Sequence, residues 1–373
     1  MFNKQDKTRN AFMLDGKFAK KGYDWWWHSF TAIKESTGEE KQFFIEFFIC
    51  NPKLGGDAPV FGQLPENKAR GIKPSYLMVK AGCWGEEHCQ LHRFFGINKI
   101  RLHKTAPYSV GAGDCYASDT ELRGRVEVTR DEAKVHSEYM SDAGSMEWKL
   151  KLDKKIAFNV GYGAGKLFRD IKAFQMYWHA EGIKTLYSGE IIFNGERYIV
   201  TPETSFGYAD KNWGCDFTDP WIWLSSCRLI SRKTGNRLEN SAFDIGGGKP
   251  KVFFLPLDRK LLGAFYHEGK EYEFNFSKFW TLPRTKFSIT ETASEIIWHI
   301  RQENRNAIML TDITCKKSDM LLINYENPNG ERVHKTLWNG GSGKGRIRLL
   351  GKRKNGLVLI DDIDALSVGC ETS

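Results

Sequence analysis

The sequence predicts an all-β chain built as closed or nearly closed antiparallel barrels, and three observations carry that reading. Turn-forming pairs recur between extended runs: Asn194-Gly195, Thr234-Gly235-Asn236, Glu268-Gly269, Asn329-Gly330 and Asn355-Gly356. Asn-Gly is the strongest short hairpin signal, because both central residues take positive φ. The runs between these turns are short and rich in aromatic and β-branched residues, and helical periodicity is scarce. Repeated hairpins mean an antiparallel meander, and closure of such a meander buries its edges and leaves room for one small ligand.

Taken in order, residues 1 to about 20 are polar and form an ordered arm or a frayed end. The fold begins near Gly22, with Trp25–Ile33 and Gln42–Cys50 as two strands joined by a hairpin at Glu35-Ser36-Thr37-Gly38-Glu39. Asn51–Lys73 breaks into Pro and Gly and is a long loop suited to cover a barrel mouth. Extended runs continue to Trp148–Asn159, and a further hairpin spans Gly189–Tyr198. Thr201-Pro202-Glu203-Thr204 interrupts the strands, which places a boundary between a first domain, 1–200, and a second, 201–373. In the second half, Thr292–Glu303 fits a helix or a strand, and the strand Ala307–Thr314 beside it favours strand. Gly161–Lys166 and Gly340–Gly345 resemble phosphate loops, but each Lys lacks the following Ser/Thr, so they read as turns, as does Gly246-Gly247-Gly248.

At 373 residues, with 41% apolar and 13% aromatic content, the chain can build real cores and is not globally disordered. Its 25 Phe and 12 Trp exceed ordinary packing needs, which fits either an aromatic-rich β-protein or an apolar cavity lined with rings. The net charge of +9 is spread among 46 acidic residues, and its one sharp cluster, Lys344–Lys354, alternates with Ile347, Leu349 and Leu350 as a solvated edge strand does. No nucleic-acid motif accompanies it, so a nucleic-acid partner is not expected; transient contact with a membrane surface stays open, as does the oligomeric state. The N-terminus has no apolar signal region and no run matches a membrane helix, so a soluble cytoplasmic protein with free thiols at its eight cysteines is expected. Cys83, His88, Cys89 and His92 bring soft ligands close together but lack the second half of a zinc motif; no metal site is expected.

Phe174–Cys227 crowds together more aromatic and ionisable side chains than any other stretch. If Tyr208–Trp213 is extended, Tyr208, Asp210 and Asn212 share one face while Lys211 and Trp213 take the other. The pattern Tyr208-x-Asp210-Lys211-Asn212-Trp213-Gly214, followed by Trp221-x-Trp223, closely resembles the tocopherol cyclase family and more loosely the carotenoid hydratases. Trp178-His179 and the Gly189–Tyr198 hairpin sit where that family has a His/Trp pair and a similar strand pair, and the Trp-rich Tyr23–Phe30 adds weaker likeness. The plant cyclases carry Glu where this chain has Asp210, so the acid is kept with a shorter reach.

The resemblance implies two lipocalin-like β-domains around an apolar site, and acid-initiated addition to an isoprenoid double bond without a cofactor. Asp210 is then the proton donor, which requires an apolar pocket to keep its carboxyl neutral. Its alternative is a turn-capping aspartate. Tyr208 supports the acid and Asn212 holds the geometry; Trp213, Trp221 and Trp223, with Trp178 and Trp26, cage the substrate and stabilise a cation through their ring faces, or simply belong to the core. His179 is catalytic if its strand face turns into the cavity, and a surface histidine if it does not. The expected substrate is a hydrophobic prenylated phenol or terpenoid, cyclised or hydrated by a cyclase-like isomerase or lyase. The competing function is a carrier or sensor that binds such a molecule unchanged.

Overall fold

In the computed structural model, residues 4–158, 174–249, 251–252, 255–256, 258, 260–276, 278–323, 325–331 and 337–373 are described. The chain is all-β: a closed barrel followed by a curled half-barrel, both antiparallel. Tyr23–Lys34 and Glu40–Cys50 form the expected first hairpin, in register from Tyr23 opposite Cys50 to Ile33 opposite Glu40. On its other side Tyr23–Lys34 meets two short strands lying end to end, Glu196–Val200 and Gly207–Gly214, and both also pair with the long strand Met176–Phe193. Asn194 and Gly195, at φ of 48° and 83°, make the tight turn that their sequence predicts.

The passage to the second sheet comes at 215–220, after Gly207–Gly214 has completed the first. The break at Thr201–Thr204 lies instead inside the first sheet, between two of its strands. The second sheet starts with Trp221–Ser226, and Thr292–Glu303 contributes the strand Glu295–Glu303 to it.

Three cores result. One fills the barrel (Phe43, Phe47, Leu122, Trp148, Ile191), and one lies within the second sheet (Leu224, Phe265, Trp298, Ile347). The third is shared: Phe44, Phe48, Tyr76, Trp178 and Tyr208 of the barrel pack on Trp223, Leu321, Ile323 and Leu337 of the second sheet. Strands alternate faces, so the barrel strands feed one row of side chains inward and the other into this seam.

Several local expectations are settled or corrected. Of the two forms expected for the N-terminal segment the ordered arm is found, from Lys4 onward: Lys4–Arg9 is a short helix, and Asn10 accepts the Trp26 indole N–H through its carbonyl at 2.9 Å. The Asn51–Lys73 loop closes on the second sheet as well as on its own barrel. Phe61 joins the shared core, the Gln63 backbone N–H donates to Glu326 Oε1 at 2.6 Å, and Asn51 Nδ2 donates to the Pro328 carbonyl at 2.8 Å. Lys344–Lys354 is not an edge strand. Leu337–Arg353 lies inside the sheet between Ala307–Lys316 and Gly356–Thr372, with Ile347 and Leu349 inward and Arg346 paired outward to Asp362; alternation there marks one wet face. Gly246–Gly248 and Gly340–Gly345 are strand residues too. The Gly161–Lys166 stretch lies outside the described residues.

Candidate active site

Asp210 sits on the middle strand of the seam. Pairing sets Trp25 opposite Asn212 and Trp27 opposite Asp210, so Tyr23, Trp25 and Trp27 share the seam-facing side with Tyr208, Asp210 and Asn212. Three donors converge on the carboxyl: Trp178 Nε1 at 2.9 Å and the Tyr208 hydroxyl at 3.2 Å on Oδ2, and Trp25 Nε1 at 3.2 Å on Oδ1. Burial nevertheless dominates, and Asp210 is pushed up to about 8. The three hydrogen bonds favour the anion but do not offset its lost hydration, so the acid carries its proton at neutral pH.

Two further carboxyls share this environment. Asp244, on the Ala242–Gly248 strand of the second sheet, accepts from Trp223 Nε1 at 3.0 Å, and burial followed by the charge of Asp210 holds it well above the carboxylate range. Glu371 accepts from Trp221 Nε1 at 2.6 Å and from Asn339 Nδ2, and burial pushes it up to about 7. Each of the three acids is thus capped by an indole N–H. Indole is donor-only and apolar elsewhere, so it satisfies a buried carboxyl without bringing in a counter-charge. A buried cation on this side, Lys80, is held by Glu46 at 3.1 Å, and its ammonium lies 3.6 Å from the Tyr325 ring centre.

The rings are closely packed. Trp25 stacks on Tyr325 (5.5 Å) and Phe217 (5.8 Å), Tyr208 lies 4.9 Å from Trp223, and Trp178 meets Trp221 edge-on at 6.0 Å. The void lined by Tyr208, Trp223, Ser225 and Gly341 measures about 20 Å³, space for one water. A hollow of about 610 Å³ opens elsewhere on the same seam, where Ile156 and Tyr266 line it with Lys155, Lys184 and Arg237.

The predicted residues therefore divide. The seam gathers Asp210, Tyr208, Trp178, Trp221 and Trp223, and Asn212 joins them at one remove, accepting from the Tyr23 hydroxyl at 2.9 Å. His179, Trp213 and Trp26 face the barrel interior, with the sheet between them and Asp210. His179 is fully buried, neither on the surface nor in the seam: its Nε2 is 3.7 Å from Asp6 Oδ1, and burial lowers it well below the usual histidine range. Trp213 stacks on Tyr177 at 5.5 Å, and Trp26 lies 3.9 Å under the Lys211 ammonium, which is paired with Asp24. Lys211 is thereby kept off the acid, as alternation predicts. Trp25 holds the place expected for Trp26; the pairing register, unseen in a single strand, decides between them. Asp244 and Glu371 were not anticipated, and the one signal for Asp244 is its place inside the apolar Ala242–Ile245 run. Cys83 and Cys89 face each other across paired strands as buried free thiols, and no metal-holding group occurs among the described residues.

The family model described as tocopherol cyclase-like matches residues 119–372. The chain belongs to that family. A search of the curated proteins finds no match. Among solved structures, the tocopherol cyclase-like chain is similar to a putative AttH from Nitrosomonas europaea, with 13% identity, 92% of each chain covered and a TM-score of 0.44. It is also similar to CghA, solved with Sch210972, with 11% identity, 95% of this chain and 89% of that one covered, and a TM-score of 0.48.

Proposed function

We propose that this member of the tocopherol cyclase-like family is a cofactor-independent enzyme in which Asp210, as the neutral acid, protonates a double bond of a hydrophobic prenylated phenol or terpenoid. The observation that carries the reading is a buried carboxyl pushed up to about 8 amid three aromatic donors, with the neighbouring Lys211 turned to the other face and paired with Asp24. Such an acid is available at neutral pH, and its conjugate base is stabilised by donors already in place once the proton has left. The O–H bond of Asp210 breaks as a C–H bond forms at one alkene carbon, leaving the cation at the other. A substrate hydroxyl then adds to close a ring, or water adds to hydrate it, and the proton released returns to the carboxylate through Tyr208. Ring faces of Trp178, Trp221 and Trp223 line the path of the developing cation.

The rings beside Tyr208 close on a space of about 20 Å³, far below the roughly 300–1,000 Å³ of ligand pockets, so substrate entry requires these side chains to swing apart. The hollow lined by Ile156 and Tyr266 is the space of matching size on this seam.

The test is turnover of candidate prenyl-phenols in deuterated water, comparing the native chain with Asp210→Asn. The native chain incorporates one deuterium per product, and the variant binds substrate but loses turnover by about a hundredfold or more, in keeping with the usual worth of a positioned acid. Undiminished incorporation in the variant rules out Asp210 as donor. Substrate that is bound and recovered unchanged from the native chain favours a carrier.

A further inference from the structure

We propose that one end of the second sheet is a docking surface for an anionic lipid bilayer. The proposal stands apart from the reaction, since none of its residues lies in the seam. The strands Leu337–Arg353 and Gly356–Thr372 join through a tight turn at Lys354-Asn355, and the first residues after it, Leu357, Val358 and Leu359, are 56%, 52% and 42% exposed. Alternating burial is established only from Asp361 onward, so this tip stands beyond the sheet's covered face and shows apolar side chains on both of its own. Three consecutive exposed aliphatic residues at a water-facing hairpin tip have no packing purpose.

A second apolar pair lies beside them. Trp280 and Leu282 are 62% and 65% exposed, and Leu282 is held at φ of 54°, a left-handed conformation costly for leucine. Backbone bonds tie the two features together through the turn at 304–306. The Arg305 N–H donates to the Thr281 carbonyl at 2.8 Å, and the Lys352 N–H donates to the Asn306 carbonyl at 2.8 Å.

The surrounding charge selects the occupant. Lys352, Arg353 and Lys354 lead into the tip, Arg305 and Arg284 flank the Trp280 side, and Lys233 reaches the Ile360 carbonyl at 2.9 Å. Lys352 is engaged by Glu303, whereas among the described residues Arg284, Arg305, Arg353 and Lys354 have no acidic partner. An indole and aliphatic side chains inside a ring of unpaired cations match the interface of a bilayer bearing acidic headgroups, where rings and chains enter the acyl boundary and cations meet phosphates. A second copy fits worse, because a two-fold contact sets a patch against itself and would bring Arg353 and Lys354 onto their own copies.

The test is co-sedimentation of the full chain with vesicles of phosphatidylcholine alone and of phosphatidylcholine mixed with phosphatidylserine. The chain is expected to pellet with the acidic vesicles, less so as salt rises, and the variant Arg353→Glu/Lys354→Glu should bind about tenfold or more weakly. Leu357→Ser/Leu359→Ser should lose binding likewise. These positions are exposed, and an unchanged thermal midpoint confirms that the fold is intact. Independently, brominated lipid should quench indole emission of the native chain, and Trp280→Phe should remove that quenching. Equal binding of native and charge-reversed chains, no binding to acidic vesicles, or a concentration-dependent dimer that Leu357→Ser/Leu359→Ser abolishes would each overturn the proposal.

Discussion

Asp210 accepts hydrogen bonds from Trp178, Trp25 and Tyr208, and each bond pulls its pKa down against the upward push of burial. That balance makes the acid tunable, and its direction is fixed. A donor acid works only while protonated, so turnover should be level at lower pH and fall as pH rises through about 8. Removing a donor destabilises the anion and moves the alkaline limb to higher pH. Trp178→Phe should move it further than Tyr208→Phe, since the indole bond is 2.9 Å and leads the three while the phenol bond is 3.2 Å. Rate-versus-pH profiles of the two variants measure this order directly; a limb shifted to lower pH in either would show that the donors do not govern the acid. Alternation along Tyr208–Trp213 was enough to read from sequence that Asp210 and Lys211 part company. It could not supply the other two carboxyls, because Asp244 and Glu371 reach the seam only when Ala242–Gly248 and Gly356–Thr372, later in the chain, pair on either side of Trp221–Ser226.

At the scale of elements, the seam depends on strands that lack side chains where the other sheet's indoles arrive. A Cβ on Gly246 would sit 2.6 Å from the ring of Trp178, and one on Gly341 would sit 2.4 Å from the ring of Trp84. Neither indole is free to retreat: Trp178 Nε1 is bonded to Asp210, and Trp84 Nε1 is bonded to Asn339 Oδ1 at 2.6 Å. Gly246→Ala should therefore cost about 1–3 kcal/mol, the usual penalty for overpacking, and should also loosen the Trp178 cap on the acid. Urea unfolding checks the first effect, and a shift of the alkaline limb in the direction of Trp178→Phe checks the second. The glycine runs show why sequence misplaced these elements. Gly-Gly between extended runs reads as a turn when no partner is visible, whereas inside a sheet the same bare backbone admits a ring from outside. Hairpins set by local pairs such as Asn194-Gly195 and Glu268-Gly269 were legible because both partners lie within a few residues. The site for Trp178 on Gly246 was not, because it joins two sheets.

For the whole molecule, burying this many ionisable groups leaves a signature in the pH dependence of folding. Acids with raised pKa values bind a proton in the folded chain that they lack unfolded, so each lowers stability as pH rises from its unfolded value to its folded one. Asp24 does so up to about 6, Glu181 and Glu371 up to about 7, and Asp210 up to about 8, while Asp244, raised by burial and by the charge of Asp210, acts in the same sense. Buried histidines act in the opposite sense: His28 and His179, held well below the usual range, and His92, lowered to about 3, stay neutral while the unfolded chain protonates. Their contribution raises stability with pH and is complete near the ordinary histidine value of about 6.5. Below that point the two sets oppose each other; above it the histidine contribution is complete and that of the acids continues. Stability should thus fall between about pH 6.5 and 8, by about 1.4 kcal/mol per pH unit for each proton held only by the folded chain. Near pH 7.5 Asp210, in the seam, still holds such a proton, and burial pushes its neighbour Asp244 in the same direction. Urea titrations across this range should show the decline, and Asp210→Asn should remove one proton's worth of slope while leaving the slope below pH 4 unchanged. A variant with the native slope would mean that Asp210 titrates as an ordinary carboxylate, and the neutral acid on which the chemistry depends would be gone.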